Sequence, residues 1–171
     1  MDLILWRHAE AEPVKTDQPE ARRSLSPRGR RQAEEMAAWL RNQPMRECRV
    51  LVSPTTRCVE TAEALNRPFD IQVKMGLSAT ATDLLVAADW PDFHGAVILV
   101  SHQPALGRLA SLLLAGQEAD WTIKKGGIWW FSNRVKADES QTILKAVTNP
   151  VAPNIRMLTA RETGKSAVIT P

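Results

Sequence analysis

Tyrosine is missing from the 171-residue sequence, and cysteine and histidine are scarce, at two and three residues. Cys48 and Cys58 stand apart without a CxxC spacing or a neighbouring His. That pattern argues against a zinc set and a disulfide framework and reads as reduced thiols in a cytosolic protein. Long apolar runs are also lacking. The longest lipid-like stretch, ALGRLASLLLAG at 105–116, carries Arg108 and is too short to span a bilayer. From Met1 the chain runs straight into an apolar stretch containing Asp2 and then Arg7 and His8. It shows none of the basic, apolar and small-residue sections of a signal peptide, so the cytoplasm is the expected compartment. Charge of one sign is not in great excess either: 22 Lys+Arg face 19 Asp+Glu, and a surplus of +3 over a whole domain is too weak to argue for nucleic acid.

What is present is the composition of one globular domain, with 44% hydrophobic residues. A chain of this size buries about 70% of its extended-chain surface and needs no covalent staple. Fifteen of the 22 cations are arginine, whose planar fork suits phosphate or carboxylate better than an ammonium does.

Short aliphatic or β-branched runs at 3–6, 49–52 and 96–100 read as buried parallel strands. Helical patterns lie between and after them at 27–42, 54–66, about 82–89 and 104–115. Ser26-Pro27 and Ser53-Pro54 look like helix starts, with Ser at the N-cap and Pro at the first helical position. The alternation predicts a single three-layer α/β domain, a mostly parallel central sheet with helices on both faces. Gly126-Gly127 opens a β-rich section, with strands at 128–133 and 142–148 around a polar turn at 137–140. The domain is placed at 1–153 and a loose C-terminal extension at 154–171.

The reactive residues fall just after the strands. Arg7-His8 follows the first, Ser101-His102 follows 96–100, and the run after 49–52 places Arg57 about one turn into a helix. Ligands of open parallel sheets bind beyond the strands' carboxyl ends, so these residues can share one pocket, and a helix start there also favours an anion. Two His and two Arg, without cysteine or paired carboxylates, suit phosphoryl transfer. One imidazole nitrogen attacks phosphorus, and the guanidiniums and second imidazole hold the oxygens. No metal or cofactor is then required.

Arg-His-Ala at 7–9, Ser-Pro-x-x-Arg-x-x-x-Thr at 53–61 and Ser101-His102 together resemble the three signatures of the histidine phosphatase (phosphoglycerate mutase-like) superfamily. The short chain, Arg-x-Leu-Ser and Arg-Gly at 23–29, and Val-Ser-His-Gln-Pro-x-x-Gly at 100–107 are most similar to the small phosphohistidine phosphatases of the SixA type. The resemblance implies a catalytic set of His8 as nucleophile with Arg7, Arg57 and His102 around the phosphoryl group. It also implies a further contact from Arg23, with Ser53 as a substrate-binding candidate. The partner it implies is a phosphohistidine-containing phosphorelay or phosphocarrier protein; the small size and the lack of an evident helical dimer stripe make a monomer the default. A small-molecule phosphomonoesterase and a non-catalytic phosphohistidine reader are the alternatives.

Two departures stand out. Ala9 replaces the usual Gly, which is harmless if its φ is negative and strained if it is positive. More consequentially, there is no Glu between Glu63 and Glu118, the section where the superfamily's ester hydrolases carry a proton donor. Asp83 is the candidate acid there, although a capping role near a helix start ranks above it. An imidazole leaving group needs protonation far less than an alkoxide does, so a pocket without a donor favours P–N over P–O substrates.

Remaining features have plainer readings. Of the arginine-rich run at 22–31, a docking rim is one reading, and a solvated face is favoured for Arg22, Arg30 and Arg31. His94 is read as a loop residue, Cys58 as an inert small hydrophobe, and Trp6 and Trp39 as core. In a strand one of Trp129 and Trp130 faces inward and the other outward.

Overall fold

The computed structural model describes residues 1–45, 47–136 and 139–151. Residues 137 and 138 of the expected 137–140 turn and the C-terminal extension at 154–171 lie outside the described residues. Buried apolar runs at 3–6, 50–52 and 96–100 build the centre. The strands are β1 (Asp2–Arg7), β2 (Cys48–Val52), β3 (Asp70–Ile71), β4 (Ala96–Ser101), β5 (Ile128–Lys136) and β6 (Glu139–Thr148), in the order β3-β2-β4-β1-β5-β6. β1, β2, β3 and β4 are parallel, and β5 and β6 are antiparallel additions at one side.

Helices α1 (Pro27–Arg41), α2 (Thr56–Glu63), α3 (Ala81–Ala88) and α4 (Ala105–Ala115) cover both faces. Ile4, Trp6, Val50 and Val52 pack with Met36, Ala37 and Leu40 of α1 and Ala62 of α2. Leu3, Leu5, Val97 and Leu99 pack with Leu84 of α3 and Leu106 and Leu109 of α4. A strand covered on both sides has no solvent face, which explains the unbroken apolar runs.

That two-sided cover corrects one expectation. Trp130 packs edge-on to Trp39 at 6.1 Å, on the α1–α2 side. Trp129 lies on the other face beside Trp121 and Phe131. Alternation turns the two rings apart, Trp130 buried and Trp129 half-buried rather than open to solvent.

Ser26 caps α1 as read, its hydroxyl accepting from the Gly29 N–H at 3.0 Å with Pro27 in the first turn. Ser53-Pro54 does not begin α2. The Ser53 N–H prolongs the sheet edge by donating to the Val100 carbonyl at 3.0 Å. The helix therefore starts at Thr56, after N-cap Thr55. It also ends early, tightening into three-residue turns at Leu65 and Asn66, with Asn66 at φ 52°. β3 and the 3-10 turns at Glu20–Arg22 and Val73–Met75 were not foreseen.

Candidate active site

β1, β4 and β2 are neighbours, and their carboxyl ends are level: Arg7 pairs with Ser101, and Val52 with Val100. The next residues of each strand therefore emerge at one edge. The His8 backbone is held from two directions there. Its N–H donates to the Ser101 carbonyl at 3.0 Å, and its carbonyl accepts from the Gly126 N–H at 3.1 Å. Gly126 sits at φ +74°, and a Cβ on it would come within 2.7 Å of Pro150, so the position suits glycine alone. The Gly126 carbonyl also accepts from the Trp6 Nε1–H at 3.1 Å, which ties the loop to the core.

The His8 side chain is 6% exposed, and both of its nitrogens are assigned partners. Nδ1 lies 2.7 Å from the Ala9 carbonyl, which can only accept, so Nδ1 carries the proton. Nε2 accepts from the Nε–H of Arg57 at 3.2 Å. The ring is thus a neutral tautomer with its lone pair at Nε2. Burial lowers the His8 pKa to about 3; the Ala9 bond opposes this, and the charges of Arg57 and Arg7 and the His102 ring add to it. A neutral imidazole at neutral pH is the form a nucleophile requires.

Ala9 is fully buried and is not among the non-glycine residues at positive φ, which among the described residues are Asn66 and Asp89. It is accommodated without strain. Its N–H donates to the Thr61 hydroxyl at 3.1 Å, and that hydroxyl donates to the Arg57 carbonyl at 2.6 Å. Thr61, last residue of the second sequence block, therefore links the backbone that orients His8 to the backbone that carries Arg57. The first turn of α1 presses on the same segment, where a Cβ on Gly29 would stand 1.9 Å from the Glu10 carbonyl oxygen.

Arg57 is 3% exposed, and burial lowers its pKa, as it does that of Arg7. Guanidiniums remain cations in such settings. Arg7 donates from Nη1 to the Ile123 carbonyl at 2.6 Å. The Nε atoms of Arg7 and Arg23 are buried without a partner among the described residues. Unsatisfied buried donors on two cations fit an anion that would accept from them. Thr55 provides no side-chain cap for α2, leaving that helix start open to an anion as well. His102, 4% exposed, has Nε2 at 2.8 Å from the Gly76 carbonyl and Nδ1 at 4.0 Å from Cys58 Sγ. Burial first, then the arginines, keep its pKa below the ordinary histidine value. The Cys58 thiol is fully buried and pushed up to about 11, so it is inert.

One participant was missed by sequence reasoning. Glu20, in the 3-10 turn before Arg23, places Oε1 at 3.3 Å from Arg57 Nη2 and Oε2 at 3.1 Å from Arg23 Nη1. Its carbonyl accepts from Arg57 Nη1 at 2.8 Å. The only sequence signal was an acid three residues before Arg23, a spacing that pairs side chains on one helical turn.

Other expectations need correction or placement. Ser53 is wholly buried, its hydroxyl 3.4 Å from that of Thr55; it braces the turn into α2 and does not open to the pocket. Asp83 completes a capping box with Thr80, accepting from its N–H at 2.9 Å and its hydroxyl at 2.7 Å. Those bonds lower the pKa of this exposed carboxylate, so it holds α3 and offers no proton. His94 is an exposed loop residue. Among the described residues no three His, Cys, Asp or Glu side chains gather as a metal set, and no helix is long and apolar enough to cross a membrane.

Residues 3–97 match a family described as the histidine phosphatase superfamily (branch 1). That span includes Arg7, His8, Arg57 and Thr61, and His102 lies just beyond it. The curated 6-phosphofructo-2-kinase/fructose-2,6-bisphosphatase of Gallus gallus is 37% identical over 68 residues, 40% of this chain. The match spans only 14% of that relative's length. Among solved structures, a protein of Agrobacterium tumefaciens assigned as a phosphohistidine phosphatase SixA superposes with TM-score 0.70 at 20% identity, covering 87% of this chain and 97% of the other. The protein histidine phosphatase SixA complexed with tungstate gives 0.67 at 22%, covering 88% and 97%. The phosphoserine phosphatase of Entamoeba histolytica, in complex with 3-phosphoglyceric acid, gives 0.63 at 17%, covering 86% and 96%. The α/β architecture is therefore that of these enzymes.

Proposed function

The chain belongs to the histidine phosphatase superfamily, branch 1, and on that premise we propose that it removes the phosphoryl group from a phosphohistidine-bearing protein in the cytoplasm. The observation that carries the reading is the His8 ring: Nδ1–H is committed to the Ala9 carbonyl, and Nε2 keeps a lone pair among buried cations. When a phosphoryl group enters, the Arg57 Nε–H redirects its hydrogen bond from His8 to a phosphoryl oxygen, keeping its proton, and frees Nε2. The Nε2 lone pair then forms a P–N bond as the substrate's P–N bond breaks, and the departing imidazole takes a proton from water. In the second step water attacks phosphorus, the His8–P bond breaks, and orthophosphate leaves. Arg7, Arg57 and Arg23 hold the oxygens as charge redistributes, and His102 joins them by turning its Nε2–H from the Gly76 carbonyl to a phosphoryl oxygen. No step calls on a metal.

The substrate class rests on the missing acid. Asp83 is spent on its cap, and both Glu20 oxygens already accept from arginines. An imidazole leaves without a dedicated donor, whereas an alkoxide loses roughly 10²–10⁴ in rate without one. A tetrahedral oxyanion in the structurally similar SixA is consistent with a phosphoryl pocket here. The likeness to a phosphoserine phosphatase favours a small phosphate ester as the second reading.

Phosphate release from a phosphohistidine protein and from an aryl phosphate, by wild type and His8→Ala in EDTA, tests the choice. The expected result is metal-independent release from the phosphohistidine protein, abolished by the substitution. If the ester is far the better substrate, the second reading holds; if neither turns over while the phosphoprotein binds, the chain is a reader.

A further inference from the structure

The surface cations of this chain are not spread evenly. A cavity of about 640 Å³ beside the site is lined by Arg23, Arg28, Arg31 and Lys125, with Glu10 and Glu12. A second, of about 380 Å³, shares Glu10, Arg28 and Lys125 with it and adds Arg7 and Lys124. The two form one groove bearing six cations against two carboxylates, a surplus of four where the whole chain has a surplus of three. The rest of the molecule is then slightly acidic. One of the two carboxylates is itself occupied, because Glu10 lies 3.6 Å from Arg28 and accepts from the Ser26 hydroxyl at 3.0 Å. Arg31 and Lys125 are exposed and make no ion pair among the described residues. Arg30, by contrast, turns away to Glu60 at 3.3 Å. The arginine-rich run therefore divides, and Arg28 and Arg31 belong to the groove rather than to a uniformly solvated face.

Continuity with the reaction site gives the groove its direction. Arg7 lines it and also acts on His8. Arg23 lines it, shares Glu20 with Arg57, and has a buried Nε without a partner. A phosphoryl group arriving at His8 Nε2 while attached to a larger molecule must bring its surroundings over this rim. Concentrated unpaired cations attract, and orient, a partner of opposite charge.

We infer that the groove between the start of α1 and the segment before β5 docks an acidic protein surface, with Asp or Glu side chains flanking the phosphohistidine. The inference rests on the phosphohistidine reading and adds the partner's chemistry to it. Arg31 and Lys125 receive the flanking carboxylates, and Arg7 and Arg23 receive the phosphoryl group.

Two phosphohistidine peptides of equal length test this, one flanked by Asp and Glu and one by Ser and Gln, with 4-nitrophenyl phosphate as a substrate too small to reach the groove. The expected kcat/KM favours the acidic peptide about tenfold or more at low salt, and the preference shrinks as salt is raised. In the Arg31→Glu, Lys125→Glu double variant the preference disappears while 4-nitrophenyl phosphate hydrolysis, which reports the fold, is retained. Equal turnover of both peptides by wild type, or a preference that survives the double variant, overturns the docking surface and leaves the phosphatase reading standing. Hydrolysis of the aryl ester but of neither peptide overturns the phosphohistidine reading and the docking surface together. A preference transferred to small esters with a second anionic group would assign the groove to a metabolite instead.

Discussion

The Nε–H of Arg57 donates to Nε2 of His8 at 3.2 Å, so the nitrogen proposed to attack phosphorus is held by the guanidinium proposed to receive the phosphoryl oxygens. This contact shields the nucleophile and keeps a buried guanidinium N–H satisfied. An incoming phosphoryl group reverses both at once, offering oxygens to Arg57 and phosphorus to Nε2.

The first consequence is a pH dependence of unusual position. Because the His8 pKa is lowered to about 3, the unfolded chain, with an ordinary histidine value of about 6.5, binds a proton that the folded chain does not. Stability is therefore full above about pH 6.5 and is lost as pH falls toward 3. Between pH 7.5 and 4.5 the wild type should lose about 2–3 kcal/mol more than His8→Asn, in urea unfolding at each pH. The shift of His102 is common to both and cancels. Equal losses would refute the buried neutral ring. The kcat/KM profile should likewise show no loss of the nucleophile near pH 6.5.

Glu20 competes with substrate for the same cations. Its carboxylate reaches Arg57 and Arg23, yet its backbone carbonyl holds Arg57 independently at 2.8 Å. Glu20→Gln should leave kcat nearly unchanged and tighten inhibition by orthophosphate about two- to tenfold, the scale of partly exposed ion pairs. Product-inhibition kinetics read this directly. A weakened orthophosphate affinity would show instead that the carboxylate preorganises the arginines.

Thr61 carries a different load. Replacing it with Val removes the acceptor of the Ala9 N–H and the donor to the Arg57 carbonyl. An unsatisfied buried amide costs about 1–3 kcal/mol, and each kcal/mol lowers Tm by about 2–4 °C in a chain of this size. kcat should fall as well, because the Ala9 carbonyl that fixes the His8 tautomer is no longer anchored. Thr61→Ser keeps the hydroxyl and should restore both. A Tm loss without a kcat loss would confine Thr61 to stability.

These relationships separate what was legible in the sequence from what was not. Three of the four parallel strands, β1, β2 and β4, could be read because burial on both faces writes unbroken apolar runs, and His8, Arg57 and His102 could be placed because each follows such a run. β3 could not, since its residues Asp70 and Ile71 are both exposed and carry no pattern. The start of α2 was misread because Ser53-Pro54 has the chemistry of a helix start, but a sheet hydrogen bond to Val100 takes Ser53 first. Glu20 was missed because its role depends on Arg57, 37 positions away. Local spacing shows the Glu20–Arg23 pair and not the third member.

The leaving group decides the substrate class. Neither Asp83 nor Glu20 is free to protonate a leaving group: Asp83 caps α3 through Thr80, and each Glu20 oxygen meets a guanidinium. Without a positioned acid the departing group must leave on its own basicity, so kcat/KM should fall steeply from 4-nitrophenyl to phenyl to alkyl phosphate. A general acid would flatten that series by recovering roughly 10²–10⁴ for the poorest leaving group. Asp83→Asn should leave every member of the series unchanged while lowering the thermal midpoint through the lost cap on α3. A flat series, or one that steepens in the Asp83 variant, would mean that a carboxylate does reach the leaving atom, and phosphate esters would then become the natural substrates of this site.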